Sequence, residues 1–482
     1  MGLRTPEQYL ASLRDDRTVY FRGERVPDVT VHPVIRRGAE HAAAEFAHAL
    51  APSLAGLAVL DVFGAPSSRY YAPPRSAADL VDRSALIEAS TREGHTVVPL
   101  VKEIGSDAIF ALWRLASTFP DDALAEKVDA LWRRAAGDDL AIAVAQTDVK
   151  GDRSRGPSAQ TNPDAYLRIV DRRPDGIVVR GAKTHTSCTP YVNEIVVLPT
   201  RAMGEADADW AVSFSVPVAT TGLSLVASPF GEVASTDFES PIGTTHTMIE
   251  TVTIFDDVFV PNECVFLAGE HHLAGPLALA FVDYHRFTAI SYKLPLVDAL
   301  VGTAFLLADM NGIGRAGHVR EKLTWLIAYA ETLRALVEVA SSRGRLVDGG
   351  LFLPDPLTVN IAKSHFAHGY HTALQHVQDI SGGLLVTAPS GADLDHPEIG
   401  PLLRSYLVGR DGIDGEERLR ALWMASDLTT GALGGYHAVL AIHAEGSLEA
   451  EKLQTFRAYD PTEAVAYARR LARLDRHGAD TV

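Results

Sequence analysis

Ala145-Gln-Thr-Asp-Val-Lys-Gly-Asp-Arg-Ser154 is the point at which the texture of the chain changes. Before it, from Pro33 to about Ala136, apolar residues recur three and four apart through His41–Leu54, Ala77–Ser90 and Ala123–Ala136, the period of amphipathic helices. Asp121 and Asp122 after Pro120 supply a start for the last of these. Around and after it, short Val/Ile/Phe-rich runs alternate with turn residues: Tyr166–Asp171, Gly176–Gly181, Glu194–Leu198, Trp210–Val216 and Thr251–Phe259. That spacing predicts a compact β domain. Asp171-Arg-Arg-Pro-Asp-Gly176 has Pro and Asp-Gly where a tight hairpin needs them. Past Gly275 the helical period returns in Pro276–Met310, Val319–Ser342, Pro356–Ile380, Glu416–His443 and Pro461–Leu474, with short connections that favour antiparallel packing. The chain therefore reads as α+β: a mainly helical domain at 1–137, a β domain at 138–274 and a helical bundle at 275–482.

Composition narrows the function. Across 482 residues, 61 acidic side chains outnumber 44 basic ones, for a net charge of −17. Such a surface repels phosphate backbones and anionic lipid, so neither nucleic acid nor membrane is an expected partner. Two cysteines, Cys188 and Cys264, fit a reducing compartment and are too few for an iron–sulfur cluster or an all-cysteine zinc site. The opening MGLRTPEQYLASLRDDR has no apolar secretion core, and Leu296–Leu307, interrupted by Asp298, is too short to span a bilayer. A cytoplasmic location is expected.

Few motifs carry chemistry. Gly431-Ala-Leu-Gly434-Gly435 and Gly382-Gly383 lack dinucleotide-fingerprint spacing, and neither a phosphate-binding P-loop nor a G-x-S-x-G elbow occurs. His365, His368, His371 and His376 share one helix face, but only Asp379 adds a carboxylate, so the face reads as packing and solvated histidines and no metal is expected. Glu45-x-x-His48 lacks the second copy and further carboxylates of a di-iron bundle. The junction segment is richer. Its backbone N–H groups and Thr147 could reach flavin ring carbonyls while Lys150 and Arg153 balance phosphate; the same residues also suit a polar connecting loop. Gly181-Ala-Lys-Thr-His-Thr-Ser-Cys-Thr-Pro-Tyr191 holds more hydroxyl and imidazole groups than a structural strand needs, so it is wet or lines a ligand, with Cys188 read as an inert buried thiol.

Together these segments resemble the 4-hydroxyphenylacetate 3-hydroxylase family of flavin enzymes, which also contains 4-hydroxybutyryl-CoA dehydratase and vinylacetyl-CoA isomerase. The resemblance runs from Arg4-Thr-Pro-Glu-Gln-Tyr-Leu-Ala-Ser-Leu-Arg14, Val19–Val26 and His32-Pro33 through Asp148–Ser154, Asp164–Arg168, Asp175–Lys183 and Val258–Asn262. It continues to Tyr284-His-Arg286, Asp379–Gly383 and Pro389-Ser390. It implies an acyl-CoA-dehydrogenase-like fold, a homo-oligomer, commonly a tetramer formed through the C-terminal bundle, and FAD between the β domain and that bundle. By resemblance Gln146, Thr147 and Asp148 approach the isoalloxazine and Ser187 sits where a family hydroxyl meets the flavin N5 edge. Lys150, Arg153, Arg286, Asp379, Gly382 and Gly383 are FAD-binding candidates, partly across a subunit interface.

Departures from the family separate its branches. The dehydratases hold a [4Fe–4S] cluster on three cysteines and a histidine; the matching positions here are Pro99, Glu103, Tyr292 and His285, of which only His285 is kept. The arginine, tyrosine and histidine that clamp phenolate in the hydroxylases become Ile104, Ala108 and Val144. The leading expectation is the oxygenase half of a two-component monooxygenase, fed FADH2 by a separate NAD(P)H:flavin reductase. It uses O2 through a flavin C4a-hydroperoxide on a small molecule, a specialised metabolite rather than a simple phenol. His285, His185 and Ser187 are the catalytic candidates, with His95 a further acid–base group. The alternative is an FAD-containing acyl-thioester dehydratase or isomerase without the cluster.

Overall fold

The computed structural model describes residues 2–119, 122–232 and 236–474. Pro120 and Asp121, two of the helix-start residues named above, lie outside these. The first part holds α1 (Pro6–Ser12), β1 (Val19–Phe21), β2 (Glu24–Val26), α2 (Ile35–Ala47), α3 (Ala55–Ala58), a ribbon of β3 (Val59–Asp61) and β4 (Pro66–Ser68), α4 (Ala77–Glu93), α5 (Glu103–Ala116) and α6 (Ala123–Gly137). The middle holds β5 (Ile142–Ala145), β6 (Arg168–Arg173), β7 (Gly176–Ser187), β8 (Glu194–Val197), β9 (Val212–Pro217), β10 (Leu223–Ala227), β11 (Glu250–Pro261) and β12 (Val265–Ala268). Next come α7 (His271–Met310), α8 (Gly317–Ser342), a ribbon of β13 (Arg345–Val347) and β14 (Leu351–Leu353), α9 (Pro356–Ser381), α10 (Leu384–Thr387), α11 (Gly391–Asp395) and α12 (Gly400–Tyr406). The chain finishes with α13 (Gly415–Thr429), α14 (Ala432–His443), α15 (Leu448–Ala458) and α16 (Thr462–Leu471).

The strands form a six-stranded sheet, β2-β1-β10-β11-β7-β6, and a four-stranded one, β12-β9-β8-β5. The expected hairpin joins β6 to β7, with Arg173 opposite Gly176 and Pro174-Asp175 as its turn. Gly176 is required by close approach, since a Cβ there would meet the Val260 carbonyl at 2.2 Å. β7 does not stop at Gly181. It runs through the polar segment to Ser187 because β11 pairs with it to the end, placing Ser187 opposite Glu250. The polarity is absorbed on one face by a buried hydroxyl cluster in which Thr186 bonds Thr251 and Thr253, each at 2.6 Å.

Three further differences are seen. The β1–β2 hairpin leaves the helical domain and adds to the central sheet, β1 pairing parallel with β10. A single apolar core accordingly runs from Tyr9 through Ala108, Val144 and Val179 to Phe281, and a second fills the C-terminal bundle. α5 lies outside the predicted helices, and all its residues but Trp113 and Arg114 are buried. The segment expected as one helix from Glu416 to His443 is two, broken at Gly431; a Cβ at Gly434 would meet the Thr429 backbone at 2.6 Å, so glycine permits the tight turn between them. α7 contains the Leu296–Leu307 stretch and is by length and composition apolar enough to cross a membrane, yet it packs against α4, α5, α8 and α9 as the central helix of the bundle.

Candidate active site

The loop after β5 is held from below by a buried ion pair. The Lys183 ammonium lies 2.9 Å from Asp148 Oδ1, both side chains 2 % exposed. Lys183 also donates to the carbonyls of Gln146 (2.9 Å) and Leu198 (3.0 Å). Asp148 further accepts from the Leu167 N–H at 2.9 Å and from the Thr200 hydroxyl. Both carboxylate oxygens of Asp148 are thus engaged by protein, which fixes the loop. Gln146 and Thr147 are half-buried, with their carbonyls used by Lys183 and the Thr184 N–H. Lys150 adopts φ +74°, and burial with Arg153 nearby lowers its ammonium pKa. Exposed Arg153 and Arg201 complete a local cluster of cations in an otherwise acidic protein. His185, exposed and at φ +57°, has its pKa lowered by partial burial and by the nearby Lys150 and His443.

Ser187 ends β7 with its hydroxyl donating to Glu250, 2.9 Å from Oε1 and 3.1 Å from Oε2. The Tyr436 hydroxyl of α14 donates to the same Oε1 at 2.6 Å, tying the sheet to the bundle. Burial raises the Glu250 carboxyl against the pull of these two donors. Cys188, at φ +67° and buried, donates its thiol to the Pro99 carbonyl at 3.3 Å, and burial pushes its pKa well up, as an inert thiol requires. Pro99 lies in a strained loop in which His95, Thr96 and Leu100 take φ of +50°, +81° and +57°. Left-handed backbone at three non-glycine residues, one of them β-branched, concentrates at functional sites.

Across the domain boundary His285 of α7 faces α5, with Nδ1 3.3 Å from Asp107 Oδ2 and its ring stacked 5.0 Å from Phe281. Asp107 is held by Arg83 (2.8 Å) and Thr288 (3.1 Å). A carboxylate on Nδ1 fixes the ring and its tautomer, leaving Nε2 as the proton-accepting atom. Two turns on, the Tyr292 hydroxyl donates to Glu445, whose carboxylate also meets Lys293 at 2.9 Å and Lys363 at 3.6 Å. Burial, then the carboxyls of Glu445, Glu250 and Asp107, hold the Tyr292 phenol well above its usual pKa. Burial alone would raise Glu445, but Lys293 and Lys363 bring it down to about 2; burial takes Lys293 to about 8. Glu445 itself sits at φ +55° beside Gly446 at +108°.

The Arg286 guanidinium is 2 % exposed and donates to the Glu445 carbonyl (2.9 Å), Asn360 (2.6 Å) and Gln454 (2.7 Å), which pins the chain around α15. Asp379 pairs with Lys322 at 3.0 Å near the far end of α9, roughly 24 Å along the helix from Lys363 at the helical rise. Gly382 and Gly383 there have open space where a Cβ would stand, and within one chain that turn does not join the site. His95 keeps different company, its ring 4.3 Å from that of His246, whose Nδ1 is 3.0 Å from His41 Nδ1. Of the histidines on α9, His365 and His368 line an apolar trough of ≈ 890 Å³ beside Trp325 and Phe456. No group of three side chains suited to a metal occurs among the described residues.

Sequence reasoning missed Glu250, Tyr436, Asp107, Lys293 and Glu445. Asp107, an acid buried in a largely apolar helix, carried a readable signal; the others gain their partners only through tertiary contact. The donor set at the cluster positions is the Pro99 backbone, the Glu103 carboxyl, His285 and Tyr292, with no thiolate, so an iron–sulfur cluster does not fit. Glu103 is fully buried beside Glu45, whose carboxyl is raised well above its usual range by burial and by Glu103. A flavin dinucleotide does fit. The loop offers cations for phosphate in Lys150 and Arg153, side-chain donors in Gln146 and Thr147 stand at the opening, and the buried Nε2 of His437 on α14 lacks a partner.

A helical domain, two packed sheets and a helical bundle meeting at this polar junction define an acyl-CoA-dehydrogenase-like protein. More narrowly, the chain belongs to the 4-hydroxyphenylacetate 3-hydroxylase family, whose N-terminal model matches residues 5–267 and C-terminal model residues 274–473. It is 31% identical over 481 residues, 94% of this chain and 96% of the relative, to 4-hydroxybutyryl-CoA dehydratase/vinylacetyl-CoA-Delta-isomerase of Clostridium aminobutyricum. It is 31% identical over 430 residues, 84% of this chain and 79% of the relative, to the oxygenase component of 4-nitrophenol 4-monooxygenase/4-nitrocatechol 2-monooxygenase of Rhodococcus opacus. Among solved structures, the oxygenase component of 4-hydroxyphenylacetate 3-monooxygenase complexed with FAD and 4-hydroxyphenylacetate is similar at TM-score 0.91 and 25% identity, covering 98% of each chain.

Proposed function

We propose that this protein is the oxygenase component of a two-component FADH2-dependent monooxygenase, receiving reduced flavin from a separate NAD(P)H:flavin reductase and inserting oxygen from O2 into a small molecule. The observation that carries this reading is the absence of any thiolate at the positions where the dehydratase branch holds its cluster, in a site that otherwise keeps a fixed histidine and flavin-side hydroxyls. The reductase follows from the lack of a nicotinamide fingerprint in the sequence. When bound, FADH2 supplies the electrons and the reactivity toward O2. Lys150 and Arg153 hold its phosphates, Gln146, Thr147 and Ser187 hydrogen-bond its ring, and the Lys183–Asp148 pair keeps their loop in register. The Asp379–Gly383 turn reaches a flavin only from a second copy of the chain, which fits a homo-oligomer.

His285 is the acid–base residue: Asp107 fixes Nδ1, so protons are taken up and returned at Nε2. Ile104, Ala108 and Val144, all buried, present apolar surface where the hydroxylases clamp phenolate. They exclude water but cannot hold an anion, which favours a specialised metabolite over a simple phenol. His185 stands at the exposed rim and acts in substrate or flavin entry rather than at the reacting atoms.

The test is reconstitution. Purified protein with FAD and NAD(P)H alone should consume no O2 beyond the free-flavin background, and adding a flavin reductase should produce coupled oxygenation of an accepted substrate. The similarity to the dehydratase sustains a second reading, an acyl-thioester dehydratase or isomerase with His285 as base. Anaerobic turnover of 4-hydroxybutyryl-CoA or vinylacetyl-CoA, with iron and acid-labile sulfide in the protein, would establish that instead.

A further inference from the structure

α2 carries Glu45 and, at its C-terminal cap, His48, three residues apart and so on one face of the helix. Both are buried, at 4 % and 1 % exposure. His48 Nε2 lies 2.7 Å from Glu93 Oε2 at the end of α4, where the Glu93 side chain reaches solvent. Inward, His48 Nδ1 has no partner and neither carboxyl oxygen of Glu45 meets a donor among the described residues. Glu45 faces the carboxyl of Glu103, fully buried on α5, which accepts the Lys102 N–H at 3.3 Å while its Oε1 meets no donor. The Lys102 ammonium is taken by Asp139 at 2.7 Å, and the buried Tyr70 hydroxyl stands beside the pair. Two carboxylates this close and shut from water cannot both be ionised; one holds a proton and shares it with the other as a hydrogen bond. A bound cation would answer the same need, but only two carboxyl groups converge and the described residues offer no third metal ligand. Burial and the Glu103 carboxylate raise Glu45, so Glu45 is the side that carries the proton.

On the other side, Asp107 follows Glu103 by four residues on α5, one turn along the same face and about 5–6 Å away between Cβ atoms. Arg83 spans that turn, donating to the Glu103 carbonyl (3.0 Å), Ser106 (2.8 Å) and Asp107 (2.8 Å). A guanidinium stays charged, so it fixes the spacing without taking a proton. We propose that Glu93, His48, Glu45 and Glu103 form a buried proton path between solvent and the Asp107–His285 pair, with one proton stored between the two glutamates. This rests on His285 as the acid–base residue of the reading above. When Nε2 of His285 takes a proton, Nδ1 releases one to Asp107, and a water carries it across the turn to Glu103. Glu45 then passes its own proton to His48 Nδ1, and His48 Nε2 passes one to Glu93 and solvent. The reverse sequence returns it. Every group gains one proton and loses one, and only O–H and N–H bonds change. The buried His285 ring is thereby spared a lasting charge. None of the four residues touches substrate; they act through His285.

The whole protein is compared as wild type, E45Q, E103Q and E93Q, with far-UV circular dichroism to confirm folding. The amide in E45Q or E103Q has the shape of the protonated acid and keeps a donor between the two side chains, but it does not pass a proton on. Either variant decides the matter if the other does not fold. Infrared difference spectra of wild type against each at neutral pH should show a protonated carboxyl band that shifts in D2O. A flat carboxyl region in these spectra overturns the stored proton, whatever the protein does with flavin. Anaerobic protein loaded with photoreduced FAD is then mixed with oxygenated buffer, and the decay of the transient is followed by absorbance between about pH 6 and 9 in H2O and in D2O. E45Q and E103Q should slow that decay about tenfold, most at high pH where protons are scarce, with a larger D2O effect than wild type; E93Q, at the solvent end, should slow it less. A merely structural role would leave the pH profile and the D2O effect unmoved. Unchanged decay and D2O effect in a folded E45Q or E103Q overturns the path and leaves the monooxygenase reading standing. A wild type that forms no transient at all overturns that reading and the path together.

Discussion

Replacing Asp148 by Asn tests how the flavin-side loop is held. The native carboxylate accepts from Lys183 at 2.9 Å, from the Leu167 N–H at 2.9 Å and from Thr200, in a site where both charged side chains are 2 % exposed. Removing one partner of a buried pair costs about 3–5 kcal/mol because the other charge stays buried without compensation. In D148N the stranded ammonium keeps the Gln146 and Leu198 carbonyls and the new amide oxygen can still accept from Leu167, so the lower end, about 3 kcal/mol, is expected. K183M also strips two carbonyls of their donor and should cost about 5 kcal/mol. The D148L/K183M double variant buries no charge and should lose no more than about 4 kcal/mol, well short of the sum of the single losses. Guanidinium unfolding of the four proteins reads these differences, and FAD titration reads their consequence, a weaker affinity in D148N because Gln146, Thr147 and Lys150 ride on this loop. A D148N loss under about 1 kcal/mol, or a double variant as poor as the two singles added, refutes the reasoning.

Other expectations follow from the same contacts. H285N removes the proton-accepting Nε2 but not the flavin contacts, so product formed per reduced flavin consumed should fall by about 10²-fold or more with FAD affinity kept; equal coupling in the variant removes His285 from the mechanism. K150M deletes one phosphate-facing cation and should weaken FAD binding about tenfold, with a reduced salt dependence in the titration. Burial and His246 push His41 down to about 3, and burial takes His246 to about 4. The native state therefore stays unprotonated at these rings while the unfolded chain takes up protons below about pH 6.5, so stability rises with pH through that window. His41 alone accounts for a loss of about 2 kcal/mol between pH 6.5 and pH 5, visible in chemical denaturation at the two values; flat stability over that interval contradicts it.

The helix, sheet, helix order was legible because amphipathic helices and half-buried strands impose different periods on sequence. Other parts were not legible. α5, buried but for Trp113 and Arg114, was not among the predicted helices although it carries Asp107 and Glu103. The β1–β2 hairpin reaches the central sheet by a parallel pairing with β10 across some two hundred residues, beyond any local signal. Within the site, Ser187 and His285 were reached by likeness to a family. Glu250, Tyr436 and Glu445 could not be, since each acquires its contacts from a partner far along the chain. Asp148 and Arg286 have protein partners that residue type near a motif does not reveal.

The central claim is that the protein receives reduced flavin and directs its reaction with oxygen. Anaerobic protein with photoreduced FAD, mixed rapidly with oxygenated buffer and followed by absorbance, tests it most directly. The account predicts a transient absorbing species, neither reduced nor oxidised flavin, that outlives the oxidation of free reduced FAD. Direct conversion to oxidised flavin at the free-flavin rate, with tight oxidised FAD and anaerobic acyl-CoA turnover, would contradict it.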